Sequence, residues 1–208
     1  SSDVCSSDLG EDIHRKTASQ VFNVDFDQVT PELRSAAKAV NFGIIYGKSD
    51  FGLAQDLNIS QKKAKEYIES YFNKYETIKA FMDHIVSEAE EKGYSTTIFN
   101  RRRYIPEIKS SNFVEKNRGK RAAMNAPIQG SAADIIKIAM VNVYNRLKEK
   151  GLKSRLILQV HDELIVEATA DELTQVEVLL REEMENAVNL GVDLKVDLNI
   201  GKSWYETK

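Results

Sequence analysis

Residues 30–47 constrain the fold more than any other stretch, because both ends of a helix are marked there. Thr30 is a good helix N-cap, Pro31 suits the first helical position, and Glu32 places a negative charge at the positive end of the helix dipole. The alanine-rich run that follows favours helix propagation, and Gly47 is a typical helix terminator. The sequence therefore predicts one helix that begins after Thr30 and ends at Gly47.

One face of this helix carries two cations followed by two aromatic rings: Arg34, Lys38, Phe42 and Tyr46. Residues four apart differ by only about 40° around a helix, so these side chains form a stripe about 18 Å long. The order suits a nucleoside triphosphate, whose phosphates can bind the cations while the sugar and base pack against the rings. The alternative is a solvated charged face followed by aromatic residues of the core.

The pattern R-x-x-x-K-x-x-x-F-G-x-x-Y-G resembles the nucleotide-binding fingers helix, motif B, of family A DNA polymerases. The resemblance implies that Arg34 and Lys38 bind the incoming triphosphate. It also implies that Phe42 lies by the sugar and that Tyr46 stacks near the template base. Family members often carry a second arginine where this chain has Ser35, so a contact from that position is not expected here.

Composition indicates a soluble globular protein. Of 208 residues, 42% are hydrophobic and 29% are charged, which argues against disorder and against a membrane protein. We expect a cytoplasmic protein with no membrane partner. The formal net charge of -3 requires any DNA-binding surface to be a local patch. Residues 1–9, which contain the single cysteine, are predicted to be a disordered tail outside the family resemblance.

Helices are also predicted over residues 12–22, 61–75 and 76–92, with Ser49 and Ser60 as N-caps and Gly93 as a terminator. Residues 94–105 alternate like a hairpin, and its tip carries Arg101, Arg102 and Arg103. The three arginines either form a solvated turn or neutralise DNA phosphates. Family A polymerases have a similar R-R-R-Y-x-P segment.

Residues 116–125 are predicted to be helical, with Pro127 kinking or ending the helix so that Gln129 faces another way than Arg121 and Asn125. Arginine, asparagine and glutamine side chains suit the minor groove of DNA, where every base pair presents hydrogen-bond acceptors. The alternative is a hydrogen-bonded core amide. The segment RAAMNAPIQGSAAD resembles the minor-groove segment of the same family, which implies that Arg121, Asn125 and Gln129 bind DNA. Lys120 departs from the family, where Glu is common.

A further helix is predicted over residues 131–150, with Ser131 as its N-cap and Gly151 as its terminator. A hairpin is predicted to follow it, with His161 and Asp162 at the turn. Such a turn holds a carboxylate rigidly and exposed, although aspartate is also simply a good turn former. The Q-V-H-D-E run resembles motif C of the family. That resemblance implies that Asp162 is one of two aspartates holding catalytic magnesium, that Glu163 is a candidate metal neighbour, and that His161 lies near the primer terminus.

Beyond the hairpin, Thr169 and Glu172 are predicted to form a capping box for a helix that runs towards Asn186. The last regular element is predicted to be a strand over residues 194–200. The three histidines, at positions 14, 84 and 161, show no spacing typical of a zinc site.

Together these resemblances predict an α+β fold, with helical fingers over residues 10–109 and the later part of an antiparallel-sheet palm over residues 110–208. The implied function is template-directed DNA synthesis in replication and repair. The implied partners are primer-template DNA and deoxynucleoside triphosphates, the cofactor is two Mg²⁺ ions, and the complete enzyme is expected to be a monomer. Lys38 would act on the leaving pyrophosphate and Asp162 would bind metal.

No D-Y-S-Q-I-E-L-R stretch, the family's motif A with the first catalytic aspartate, occurs in this sequence. A thumb and an exonuclease domain are also missing from these residues. We therefore expect them to be a fragment of a family A DNA polymerase that is inactive alone. Two alternatives stay open: a non-catalytic nucleotide- or DNA-binding fragment, and a related single-subunit RNA polymerase.

Overall fold

The computed structural model describes residues 12–207, so the predicted tail over residues 1–9 lies outside the described part. These residues form two compact units, residues 12–130 and residues 131–207. The predicted division between fingers and palm at residues 109 and 110 stays a prediction.

The first unit begins with five helices: α1 (Ile13–Phe22), α2 (Pro31–Ile45), α3 (Asp50–Leu57), α4 (Gln61–Lys74) and α5 (Glu76–Lys92). The predicted N-caps are confirmed, since the hydroxyls of Thr30, Ser49 and Ser60 each accept a hydrogen bond from a backbone N–H of the first turn. Helices α1 to α4 share one apolar core, built from Val21, Val40, Ile44, Leu53, Ala54, Ala64 and Tyr71.

A short antiparallel hairpin follows, as predicted, with β1 (Tyr94–Thr96) paired to β2 (Arg102–Tyr104). Asn100 adopts a positive φ of 60° at its tip, a conformation that asparagine tolerates better than most residues. Behind the hairpin, Ile105 and Ile108 are fully buried against Ile85 and Ala89 of α5. This second core fixes the hairpin to the helical unit.

Helix α6 (Phe113–Glu149) runs 37 residues through Pro127 without a break. The alternative that the helix ends at Pro127 and the predicted cap at Ser131 are therefore wrong. Proline removes the N–H that would bond the carbonyl of Ala123 four residues earlier. The Ser95 hydroxyl donates to that carbonyl at 3.1 Å, so the loss is offset by a neighbour outside the helix.

The second unit, from residue 131 on, contains the predicted hairpin, β3 (Arg155–Val160) paired antiparallel to β4 (Glu163–Glu167), and helix α7 (Leu173–Glu185). Its core joins the end of α6 to α7 through Val143, Leu147, Val176, Leu179 and Leu180. With helices and small antiparallel sheets, the predicted α+β fold is confirmed.

Two predictions for this unit are wrong. Glu172 makes no side-chain cap on α7; its carboxylate instead accepts hydrogen bonds from the backbone of Lys153 and Ser154. Residues 194–200 form no strand, because no described segment pairs with them and side chains of α7 hold their backbone instead. Arg181 donates to the carbonyl of Val196, and Glu185 accepts from its N–H.

Among the described residues, no helix is both long enough and apolar enough to cross a membrane.

Candidate functional site

The predicted cation and ring residues all lie along α2 or directly after it. Arg34, Lys38 and Phe42 are half-buried, whereas Tyr46, at the C-cap, is 38% exposed. The rings of Phe42 and Tyr46 are nearly parallel, with centroids 6.1 Å apart and planes inclined by 14°. The helix therefore presents two cations followed by two stacked rings that flat groups can contact.

Arg34 is held by a residue that the sequence interpretation did not single out. Its Nε donates to Oδ2 of Asp12 at 2.5 Å, across 22 residues of sequence. The other oxygen of Asp12 caps α1, accepting from the N–H groups of His14 and Arg15. Partial burial raises the pKa of Asp12, but hydrogen bonds from Arg34 and the α1 backbone outweigh this and lower it overall.

A buried polar group joins α1 to α2 beside the rings. His14, Thr17 and Asn41 are each less than a tenth exposed. The amide nitrogen of Asn41 lies 3.0 Å from Nδ1 of His14 and donates to the Thr17 hydroxyl at 3.2 Å. The His14 ring lies 5.9 Å from that of Phe42. These contacts hold the part of α2 that carries the rings against α1. They could not be predicted from the local sequence, because the partners are 24 to 27 residues apart.

The end of α2 lies against α6. Gly47 has a positive φ of 63°, and a Cβ at this position would lie 2.2 Å from Cε of Met124 and 3.1 Å from Cγ of Arg121. The positive φ therefore favours glycine here, and a Cβ would also displace the flexible end of Met124. The close approach brings the end of the ring-bearing helix next to the first of the predicted minor-groove residues.

Because α6 is continuous, Arg121, Asn125 and Gln129 occupy successive turns of one helix face, and the expected reorientation of Gln129 is wrong. Arg121 and Gln129 are exposed. The Oδ1 atom of Asn125 is buried and has no hydrogen-bond partner among the described residues. The alternative interpretation is a core amide whose oxygen is hydrogen-bonded, and this oxygen does not match it.

The predicted hairpin turn places two acidic residues in solvent. His161 and Asp162 connect β3 to β4, and His161 adopts a positive φ of 53°. The Gln159 side chain donates to the His161 carbonyl at 2.6 Å, which stabilises this unusual backbone. Asp162 and Glu163 are exposed, and Glu163 accepts a hydrogen bond from the indole of Trp204 at 3.3 Å.

Comparison with known proteins decides the family. The family model described as DNA polymerase family A matches residues 6–206. The chain belongs to DNA polymerase family A.

Two curated relatives show how much of such a polymerase the chain represents. It is 56% identical over 197 residues to the DNA polymerase I of Bacillus caldotenax, covering 95% of this chain and 22% of the relative. It is 55% identical over 199 residues to that of Geobacillus stearothermophilus, covering 96% of this chain and 23% of the relative. The chain thus spans less than a quarter of these polymerases.

A solved structure described as the "POL domain of Pol1 from M. smegmatis complex with DNA primer-template and dNTP" is also similar. It is 48% identical, has a TM-score of 0.89, and the match covers 96% of this chain and 35% of that one. The predicted resemblance to family A DNA polymerases is confirmed.

Family membership raises the question of which residues suit a divalent metal. In the described part of the chain, no group of three or more His, Cys, Asp and Glu side chains could hold an ion. Asp162 and Glu163 nevertheless provide exposed carboxylates on a well-defined turn. Mg²⁺ is commonly bound by one or two carboxylates together with substrate phosphates, so this donor set fits it.

The arginines of the β1–β2 hairpin are all exposed and surround a small cavity of about 190 Å³, which Ala126 and Gly130 of α6 also line. The Arg102 guanidinium lies 4.9 Å from the centre of the Tyr94 ring. A basic surface therefore lies directly beside the helix that carries Asn125 and Gln129.

Proposed function

We propose that this chain is the part of a DNA polymerase that binds the incoming deoxynucleoside triphosphate and the nascent base pair. The single observation that carries the proposal is the order of side chains along α2, two cations followed by two stacked rings. Membership of family A and the relatives named DNA polymerase I support it. The M. smegmatis relative is described in complex with DNA primer-template and dNTP, which supports both partners.

The cations act on the phosphates. Arg34 binds the outer phosphate oxygens through its planar guanidinium, and Lys38, one turn further along α2, provides a point charge beside the leaving pyrophosphate. Phe42 contacts the sugar, and Tyr46 stacks near the template base at the exposed end of the stripe. These roles follow the direction of α2, since a triphosphate, sugar and base lie in the same order.

The reaction is attack of a primer 3′-hydroxyl on the α-phosphate, with loss of pyrophosphate. Asp162, exposed on its turn, would bind Mg²⁺ with Glu163 as its neighbour, and His161 would lie near the primer terminus. When bound, two Mg²⁺ ions would activate the hydroxyl and neutralise charge on the transferred phosphate. The β3–β4 hairpin contributes a rigid position for the carboxylate, which keeps it extended into solvent.

Duplex DNA would be bound by the α6 face. Arg121, Asn125 and Gln129 can donate to the N3 and O2 acceptors that every base pair presents in the minor groove, which senses pairing without reading sequence. The exposure of Arg121 and Gln129 supports this proposal, because exposed side chains can donate to a groove laid on this helix.

We assign residues 10–109 to the fingers and residues 110–208 to the palm. Residues 1–208 contain one of the two aspartates that the reaction requires, so we propose that they do not extend a primer by themselves. Roles in replication and repair, the monomeric state and the cytoplasmic location stay predictions.

Primer extension by a chimera tests the function. Residues 12–207 would replace the matching segment of the Geobacillus stearothermophilus relative, and extension would be measured with Mg²⁺ and either dNTPs or NTPs. We expect extension with dNTPs, and a loss of about a thousandfold or more with Asp162→Asn at unchanged DNA affinity. Asp171→Asn, which removes an exposed acid of the same unit, is the matched control.

Wild-type rates in the Asp162→Asn chimera would contradict the metal-binding role. Preference for NTPs would favour the RNA polymerase alternative, and DNA binding without any extension would favour the non-catalytic one.

A further inference from the structure

The side chain of Asp12 makes two different kinds of contact with its two oxygens. Oδ1 accepts from the N–H groups of His14 at 3.0 Å and Arg15 at 3.1 Å, which caps α1. Oδ2 accepts from Nε of Arg34 at 2.5 Å. One carboxylate thus connects the start of α1 to a side chain of α2.

The ion pair is partly shielded from solvent. The side chain of Arg34 is 36% exposed and that of Asp12 is 32% exposed. A pair of this kind is less screened than one between fully exposed side chains, so it can hold the long arginine side chain in one orientation. The fold also fixes Asp12 itself, because its other oxygen is bound to the α1 backbone.

Orientation matters for a phosphate-binding arginine. A flexible arginine loses rotamer freedom when it binds a ligand, and this loss weakens the affinity. An arginine that is already held by Nε has lost much of that freedom before the ligand arrives, and the plane of its guanidinium is set. The opposing effect is repulsion between the Asp12 carboxylate and the phosphates, which lowers the affinity instead.

We propose that Asp12 is a positioning residue for nucleotide binding, which holds the Arg34 guanidinium in the orientation that receives the triphosphate. The inference rests on the proposed function of α2. Positioning outweighs repulsion because the carboxylate bonds the inner nitrogen of the guanidinium and is itself turned towards the α1 backbone, where two N–H groups offset its charge.

The two contacts of Asp12 can be separated by substitution. Asparagine is as good an N-cap as aspartate, so Asp12→Asn keeps the α1 cap while removing the charge that holds Arg34. Asp12→Ser, also a good N-cap without a charge, provides a second variant if the asparagine variant fails to fold. Circular dichroism spectra and unfolding midpoints check that both variants keep the fold.

The experiment measures the affinity of the full chain for dATP by competition against a fluorescent dATP analogue. We expect Asp12→Asn and Asp12→Ser to weaken dATP binding about three- to tenfold. In the Arg34→Ala background the same substitutions should change the affinity less than about twofold, because the side chain they position is gone.

Unchanged or tighter binding by the Asp12 variants, while Arg34→Ala weakens it, would overturn the positioning role and leave the nucleotide site on α2 intact. Equal losses in both backgrounds would show a purely structural role and would also overturn it. Wild-type affinity in Arg34→Ala would overturn the proposed nucleotide site itself, and with it the role of Asp12.

Discussion

The hydroxyl of Ser95 donates a hydrogen bond of 3.1 Å to the carbonyl of Ala123, and both residues are buried. In a regular helix this carbonyl would accept from the N–H of residue 127, which is a proline here. A residue of β1 thus supplies the donor that the helix lacks. Ala123 lies two residues before Asn125 in α6, so this contact also bears on the proposed DNA-binding face.

Ser95→Ala should lower the free energy of unfolding by about 1–3 kcal/mol, because a buried carbonyl would lose the hydroxyl that replaces the missing N–H of Pro127. Urea unfolding followed by circular dichroism measures the change. Pro127→Ala restores the backbone N–H, so Ser95→Ala should cost distinctly less in that background. Equal costs in the two backgrounds would show that Ser95 does not compensate for the proline.

Gly47→Ala should destabilise the chain more than Gly151→Ala does. Both glycines have nearly the same positive φ, 63° and 65°, so the conformational strain of about 1–2 kcal/mol is common to both. A Cβ at residue 47 would also collide with Met124, whereas one at residue 151 meets nothing within 4 Å. The additional cost at Gly47 should be at most about 1 kcal/mol, because the end of Met124 can shift away from the new Cβ.

Thermal unfolding of the two glycine variants measures the difference. In a Met124→Ala background only Cγ of Arg121, at 3.1 Å, still crowds the added Cβ, so the difference between the two glycine substitutions should shrink. A cost at Gly47 that is no larger than at Gly151 in the wild-type background would contradict the close approach of α2 to α6.

The stability contribution of Glu172 should depend on pH. Hydrogen bonds to its carboxylate, from the backbone N–H of Lys153 first and then from Ser154, lower its pKa from 4.5 to about 2. Since the folded-state pKa is the lower one, the contribution is fully present above the unfolded pKa. It is lost as the pH falls from about 4.5 towards about 2.

Chemical unfolding of wild type and Glu172→Gln over this pH range tests the linkage. The variant should be less stable near neutral pH, and its difference from wild type should shrink through the acidic range. Asp171→Asn, at the neighbouring exposed acid, is the control. A difference that stays constant down to about pH 2 would contradict the role of the ionised carboxylate.

The features that local chemistry specifies were predictable from sequence. The caps at Thr30, Ser49 and Ser60, the terminator Gly93 and both hairpins depend on residues close together in the chain, and all are confirmed. The four-residue spacing of Arg34, Lys38, Phe42 and Tyr46 likewise predicted that they share one face of a helix.

The features that were missed depend on partners far away in sequence. Pro127 remains within α6 because Ser95, 28 residues from Ala123, provides a donor. Glu172 binds the backbone of residues 18 and 19 positions away instead of capping its own helix. In the candidate site, the contact of Asp12 with Arg34 spans 22 residues, and no local pattern encodes it.

Single-nucleotide incorporation by the chimera tests most directly whether α2 binds the nucleotide. Lys38→Ala removes the proposed phosphate contact, and Lys65→Ala removes an exposed lysine of α4, with 65% of its side chain accessible, as the matched control. We expect Lys38→Ala to reduce the incorporation efficiency about a hundredfold or more, and Lys65→Ala to leave it within about twofold of wild type. Equal incorporation efficiencies in the two variants would contradict the binding of the nucleotide by α2.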